Sequence, residues 1–246
     1  MIIGSNILLY ESLESTNATS SLLLKERELP EGTVICTDFQ TAGKGQPGNR
    51  WESEKGKNLL ISIILYPGSV NPDEQFLISM TVSLGLYDFV ENYFHGTRIK
   101  WPNDIYIKDD KIAGLLIENS IIGDKIESSV AGIGININQE KFSRSIPNPV
   151  SLRIITGKDH DTSICMKQLL SGLDIRYKQL LYGDRERIRE EYVSLLYRSG
   201  KWHAYRSEGT IFKGKITDIS ASGKLRIEMK NRTLREFSFK EVDFVQ

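Results

Sequence analysis

Cysteine is scarce: Cys36 and Cys165 are the two in 246 residues. Without CxxC spacing they make neither a zinc site nor a disulfide scaffold. Cys36, inside Val34-Ile35-Cys36, is expected to pack as a small hydrophobe. Histidine offers no more. His95, His160 and His203 lie far apart, beside no obvious Ser or Cys nucleophile, and no HExxH spacing occurs. Neither a dedicated metal site nor histidine chemistry is therefore expected. Surplus charge is absent, with 32 basic against 32 acidic residues. That balance argues against a constitutive nucleic-acid coat, whose affinity would rest on excess cations. Apolar runs such as Leu59–Tyr66 are too short to span a bilayer. No basic segment followed by a long apolar run opens the chain. No membrane and a reducing cytoplasm are the expectation. The phosphate-loop pattern GxxxxGK[ST] is missing too, as are internal repeats and low-complexity segments.

What remains is an ordinary soluble composition, long enough for one large domain or a large and a small one. The β-formers of Ile7–Tyr10 and Thr33–Phe39 and the apolar run Asn58–Tyr66 predict strands. Ser15-Thr16-Asn17 precedes a helical stretch to about Glu28, with a hydroxyl as candidate N-cap. Pro72-Asp73-Glu74 opens a second helix to about Phe94, its apolar residues spaced by three and four. Strands follow near Arg98–Lys100, Asp104–Ile107, Lys111–Ile117 and Lys125–Ile137, then helices over Thr162–Tyr182 and Asp184–Leu196. Beyond Gly200 the texture changes. Thr210–Ile216, Leu225–Met229 and Glu236–Phe239 alternate at period two between Ser/Gly and Asn/Arg turns. Residues 205–246 thus read as a small all-β module behind a larger unit over 1–200.

Four segments carry candidate chemistry. Residues 100–118 hold Lys100, Trp101, Asn103, Asp104 and Lys111 around an expected hairpin. Two cations, a flat apolar ring, an amide and a carboxylate suit an anionic, partly apolar small molecule handled together with a phosphate. A surface hairpin over a packed Trp reads the same way. The loop Gln40 to Trp51 contains Gly43, Gly45 and Gly48, which let backbone approach a ligand, with Lys44 and Arg50 as cations. A plain mobile loop is the other reading. In Ala131–Asn138, alternation puts Gly132, Gly134, Asn136 and Asn138 on one face and isoleucines on the other. Glycine there serves close ligand approach or close packing of another element. A dinucleotide fingerprint does not fit, since the third glycine and a following helix are missing. Ser15-Thr16-Asn17 can cap a helix or bond a ligand's polar head.

Taken in order, these segments resemble a biotin protein ligase. The matching pieces are Glu14-Ser15-Thr16-Asn17, the loop Gln40 to Trp51, Lys100-Trp101-Pro102-Asn103-Asp104 with Lys111-Ile112-Ala113-Gly114, and Gly132-Ile133-Gly134-Ile135-Asn136. The resemblance covers residues 8–140 strongly and the C-terminal module more loosely. It implies an α+β fold: a mixed sheet packed with helices, class II synthetase-like, plus a small SH3-like barrel. It implies a two-step ligase that uses ATP with Mg2+ to convert biotin to biotinyl-5′-AMP. The acyl group then passes to one lysine of the biotin carrier domain of a carboxylase.

The resemblance also implies roles. Lys111 and Lys100 are the catalytic cations. Ser15, Thr16, Asn17, Gln40, Lys44, Gly45, Gln46, Gly132 and Gly134 join Lys111 around biotin. Gly43, Lys44, Asn49, Arg50, Trp51, Lys100, Trp101, Asn103 and Asn136 take the adenylate side. The loop from Gly43 to Trp51 closes over the product. It departs from the widespread Gly-Arg-Gly-Arg-x-Gly-Arg form: Lys44 keeps charge without the planar fork, and Gln46 and Asn49 are neutral. A weaker charged grip on the adenylate is expected. Ser15 falls so early that no room is expected for a helix-turn-helix, and no nucleic acid is predicted. Monomer and homodimer both remain open. A lipoate or octanoate ligase of the same fold is the nearest alternative. A non-catalytic biotin- or nucleotide-binding protein and an interaction protein working through its β-module are the others.

Overall fold

The computed structural model describes residues 1–245. Strand β1 (Ile7–Tyr10) leads into helix α1 (Thr16–Glu26), and strands β2 (Val34–Thr37) and β3 (Leu59–Leu65) follow. A 3-10 turn over Pro72–Glu74 precedes helix α2 (Phe76–Glu91). Then come β4 (Thr97–Lys100), β5 (Asp104–Ile107), β6 (Asp110–Ile122) and β7 (Lys125–Ile135). Three helices, α3 (Leu152–Thr156), α4 (Thr162–Leu181) and α5 (Arg185–Ser194), lead to β8 (Trp202–Ser207). Strands β9 (Thr210–Ile219), β10 (Leu225–Met229), β11 (Leu234–Phe237) and β12 (Asp243–Phe244) complete the chain.

The first seven strands form one mixed sheet in the order β1-β2-β3-β7-β6-β5-β4. β1 and β2 are parallel and every other neighbour pair is antiparallel. β3 is buried along its whole length, as its apolar run, interrupted by Ser62 alone, requires. Helix α1 lies over β3 and β7; α2 packs on β4, β5 and β6, and on α4 and α5. The last five strands form a second, wholly antiparallel sheet, β11-β10-β9-β8-β12, which fits an SH3-like barrel. Its Tyr205, Ile216, Leu225 and Phe237 belong to the same apolar core as the large sheet. β8 begins at Trp202, ahead of the expected start at residue 205.

Three helix ends differ from their sequence patterns. Pro72–Glu74 makes its own tight turn, so α2 starts at Phe76. It stops at Glu91 because that carboxylate turns back to accept hydrogen bonds from Gly96 N and Thr97 N. Ser15 is the N-cap residue of α1, yet its side chain caps nothing. Gln40 does the work instead: its Oε1 accepts from the Thr16 backbone N–H at 2.7 Å. A residue from the glycine loop's root thus satisfies the helix end, and the Ser15 hydroxyl is left out of capping.

Candidate active site

The register of the large sheet explains where a cavity can exist. Gly134 on β7 sits between Leu60 on β3 and Gly114 on β6. Gly132 sits between Ser62 and Leu116. These glycines leave a strip of sheet without side chains, and other elements lay groups across it. A Cβ on Gly132 would lie 2.1 Å from Asn17 Oδ1, and one on Gly134 would lie 2.4 Å from the Trp51 ring. A Cβ on Gly114 would meet Lys111 Nζ at 3.1 Å and Asp104 Oδ1 at 3.2 Å. The close-packing reading of the glycines therefore holds. They serve close packing, and what packs there is the wall of a cavity of about 510 Å³.

One end of that cavity is neutral and tightly bonded. The Ser62 hydroxyl reaches Thr16 Oγ1 at 2.7 Å and Asn17 Oδ1 at 2.6 Å. Thr16 Oγ1 donates to Gln40 Oε1 at 3.1 Å. Asn17 Nδ2 donates to Glu118 Oε2 at 2.7 Å, which fixes the direction of the amide. Ser15, Thr16, Asn17 and Ser62 are all buried.

The other end is cationic. Lys111 Nζ pairs with Asp104 Oδ1 at 2.7 Å and lies 5.7 Å from the centre of the Trp51 ring. Lys100 Nζ donates to Tyr106 Oη at 2.9 Å and stands 5.4 Å from the Phe244 ring. Burial holds the Lys100 ammonium below the ordinary lysine range, and Asp104 pulls it part of the way back. The glycine loop closes on itself: Asn49 N donates to Gln46 O, Gly45 N to Asn49 O and Trp51 N to Gly43 O. Lys44 and Arg50 face each other across it. The Trp51 indole N–H is buried without a partner.

Most residues singled out from sequence line this one cavity, from Ser15, Thr16, Asn17 and Gln40 through Lys44, Gly45, Gln46, Asn49, Arg50 and Trp51 to Lys100, Trp101, Asn103, Lys111, Gly132 and Gly134. Gly43 and Asn136 do not. Gly43 sits at the loop's root, where a Cβ would lie 2.4 Å from Trp51 O. Asn136 is buried beneath the wall, its Nδ2 donating to Val150 O at 3.0 Å. The segment it clamps flanks Lys111, whose N–H donates to Asn148 O and whose O accepts from Val150 N. Asn136 thus supports the segment beside Lys111 from just past the end of β7 at Ile135.

Trp101 and Asn103 line the cavity while their polar atoms work elsewhere. Trp101 Nε1 donates to Gly223 O at 2.9 Å, tying the large sheet to the C-terminal one. The buried Asn103 donates its amide to Leu115 O. Cys36 packs as its sequence context suggests, its thiol pushed up to about 11 by burial.

Several groups in or behind the cavity wall were not singled out. Ser62 had a signal, as the one hydroxyl in an otherwise apolar strand. Gly114 had one in its position within the Lys111 segment. Phe239, Lys240, Val242, Asp243 and Phe244 reach the cavity from the C-terminal sheet, and only the folded chain brings them there.

The residues fit an acid joined to a nucleotide. A neutral pocket of hydroxyls and amides opens onto cations that outnumber the carboxylates facing them. Among the described residues no group of three metal-ligating side chains exists. Magnesium brought with a triphosphate needs none, since one or two carboxylates and waters complete its shell, and Asp104 and Asp243 line the cavity.

Comparison with known proteins agrees with this geometry. Residues 9–136 match the Biotin/lipoate A/B protein ligase family. The bifunctional ligase/repressor BirA of Bacillus subtilis is 29% identical over 233 residues, 92% of this chain and 70% of that protein. A biotin–[acetyl-CoA-carboxylase] ligase of Mycobacterium tuberculosis is 24% identical over 208 residues, 83% of this chain and 76% of its own. A biotin protein ligase from Aquifex aeolicus, solved with biotin and ATP, superposes with a TM-score of 0.79 at 25% identity. It covers 98% of this chain and 99% of its own. With a match over more than half its length, the chain belongs to the biotin/lipoate A/B protein ligase family.

Proposed function

We propose that this chain is a biotin protein ligase: it activates biotin as biotinyl-5′-AMP and transfers it to a lysine of a biotin carrier domain. The observation that carries this reading is the joining, in one cavity, of a neutral bonded pocket to the Lys111–Asp104 pair, with Lys100 beside it. In the first step the biotin carboxylate oxygen attacks the α-phosphorus of ATP, and the bond to the pyrophosphate oxygen breaks. Two anions must meet, so the barrier is largely electrostatic. Preplaced cations lower it without reorganising. Lys111 is placed to hold the carboxylate and the phosphoryl oxygen forming the anhydride, with Asp104 orienting its amine. Lys100 is placed to take the phosphates. Magnesium, when bound, adds charge neutralisation on the phosphates.

Thr16, Asn17 and Gln40 offer donors and acceptors in a fixed pattern to the ureido ring, with Ser15 beside them. Gly45 and Gln46 lie where the acyl tail joins the adenylate; Lys44, Asn49, Arg50 and Trp51 cover the nucleotide. In the second step the acceptor lysine amine attacks the acyl carbon, an amide forms and AMP leaves. No protein nucleophile is required, and positioning dominates. The acceptor is the carrier domain of a biotin-dependent carboxylase. Two free thiols suit a reducing cytoplasm, and among the described residues no helix is long and apolar enough to cross a membrane.

ATP–pyrophosphate exchange tests the reading. Biotin-dependent exchange, lost in Lys111→Ala, is expected. Exchange with lipoate alone would assign the chain to the lipoate branch. No exchange with either acid would leave a binding protein.

A further inference from the structure

The tip of the glycine loop, Gln46-Pro47-Gly48-Asn49, carries no charge and is exposed at Pro47, Gly48 and Asn49. Its hydrogen bonds are mostly its own. One contact reaches it from the far end of the chain: Lys240 Nζ donates to Pro47 O. A Cβ built on Gly48 would lie 3.7 Å from the same amine. Among the described residues, this is the one hydrogen bond between the C-terminal sheet and the loop.

The backbone under Lys240 is built for the reach. Glu241 N donates to Ser238 O at 3.1 Å, and Ser238 N donates to Glu241 Oε2 at 2.7 Å, closing a four-residue turn. Lys240 is its third residue, at φ 68. Glycine is the usual residue in that left-handed conformation, and a lysine there carries a steric cost of about 1 kcal/mol. The turn is seated firmly. Phe239 packs edge-on against Trp101 with ring centres 6.4 Å apart, and Trp101 is bonded to Gly223. The Lys240 amine lies 5.8 Å from the Phe239 ring centre and, among the described residues, pairs with no carboxylate. An unneutralised cation thus bridges the rim of the cavity to the loop that covers it.

We propose that Lys240 is a positioning residue for the ligation reaction, a latch by which the C-terminal sheet holds the glycine loop over the bound adenylate. The inference rests on the biotin-ligase reading for the identity of the adenylate. It does not rest on that reading for the latch itself. The amine supplies from outside the loop the charge that its tip lacks. It ties loop closure to the C-terminal sheet, so that sheet takes part in retaining the intermediate.

Two variants separate the amine from its backbone. Lys240→Gly removes the amine at a conformation glycine accepts freely. Lys240→Arg keeps charge and donor. Limited trypsin digestion of the protein alone, followed at the exposed Lys44 and Arg50 of the loop, reads the latch without any turnover. Loss of one charge-assisted hydrogen bond at an exposed site should raise the open population, and so the nicking rate, about fivefold in Lys240→Gly. Lys240→Arg should return it to within about twofold of wild type. With biotin and Mg-ATP, preformed biotinyl-5′-AMP should leave Lys240→Gly about fivefold faster than wild type. Nicking of Lys240→Gly at the wild-type rate would overturn the latch. So would nicking of Lys240→Arg as fast as Lys240→Gly, since the backbone and not the amine would then matter. Failure of the biotin reading would show separately, as absent pyrophosphate exchange with an intact latch.

Discussion

The two ends of the cavity are built on opposite plans. At the neutral end, Thr16, Asn17 and Ser62 are buried and bonded to one another, with the half-buried Gln40 bonded to Thr16. At the charged end, Lys44 and Arg50 lie exposed on a loop, Lys111 is half-buried with a single carboxylate partner, and Lys240 arrives from another sheet. Each plan follows from what burial costs. Hydroxyls and amides can be buried ahead of the ligand because they satisfy each other. Buried cations without counter-ions cannot. The charged end is therefore left open and underneutralised, and an anionic ligand completes it.

Lys111→Ala should break the charged end most severely. Loss of a preplaced charge at the reacting atoms should lower kcat/KM for adenylation by roughly a thousandfold. The fold should scarcely change, because the Lys111–Asp104 pair is partly exposed and such pairs add little stability. Pyrophosphate exchange and a thermal melt on the same preparation would check both halves. A large fall in melting temperature would mean that the charged end is structural as well.

Trp101→Ala attacks the seam between the sheets. A buried Trp cut to Ala typically costs about 3–5 kcal/mol, and here the hydrogen bond to Gly223 goes with it. Urea unfolding should show a loss of that order. The KM for ATP should rise more than the KM for biotin, since Phe239 loses its seat and the adjoining Lys240 loses its support. An equal rise in both would deny that the C-terminal sheet serves only the charged end.

Ser62→Ala tests the neutral end by the opposite signature. Its hydroxyl is fully buried and bonded to both Thr16 and Asn17. Leaving those partners short of a donor should cost about 1–2 kcal/mol. Because those partners line the end of the cavity proposed to take biotin, biotin binding by calorimetry should weaken about tenfold, with ATP binding unchanged. Unaltered biotin affinity would remove Ser62 from the recognition network.

The same division decides what could be read from sequence. The α+β class, most strands and the change of texture after Gly200 follow periodicities of two and 3.6, which depend on neighbours along the chain. Lys100, Lys111 and the glycine loop were legible because their spacing is local. The Gln40 cap on α1 was not, since Ser15 offers the better local cap and loses to a side chain from a distant loop. Asn136 lies just past the last residue of β7, so the alternation it shares with Gly132 and Gly134 does not carry it into the cavity wall. Phe239, Lys240 and Asp243 left no local signal; their role depends on how the second sheet closes against the first.

The finest distinction within the charged end lies in Lys100. Burial lowers its pKa, Arg198 lowers it further, and Asp104 and Asp243 oppose the shift. As pH rises, this amine loses its proton before an ordinary lysine would, and a neutral amine no longer holds phosphate. Adenylation should therefore fall on the alkaline side through the loss of Lys100 charge. The stability contribution of the same group runs the other way. With the folded pKa below the unfolded one, the unfolded chain binds more protons between the two values, so this group's share of stability rises with pH there. Activity falling while the fold holds is thus the signature, and alkaline unfolding would not produce it. In Lys100→Arg the guanidinium stays charged throughout. Activity should drop modestly from the changed geometry beside Tyr106, while the alkaline limb of kcat/KM for ATP moves to higher pH. Superimposable limbs in wild type and Lys100→Arg would assign that limb to another group and leave Lys100 a charge that the reaction does not titrate.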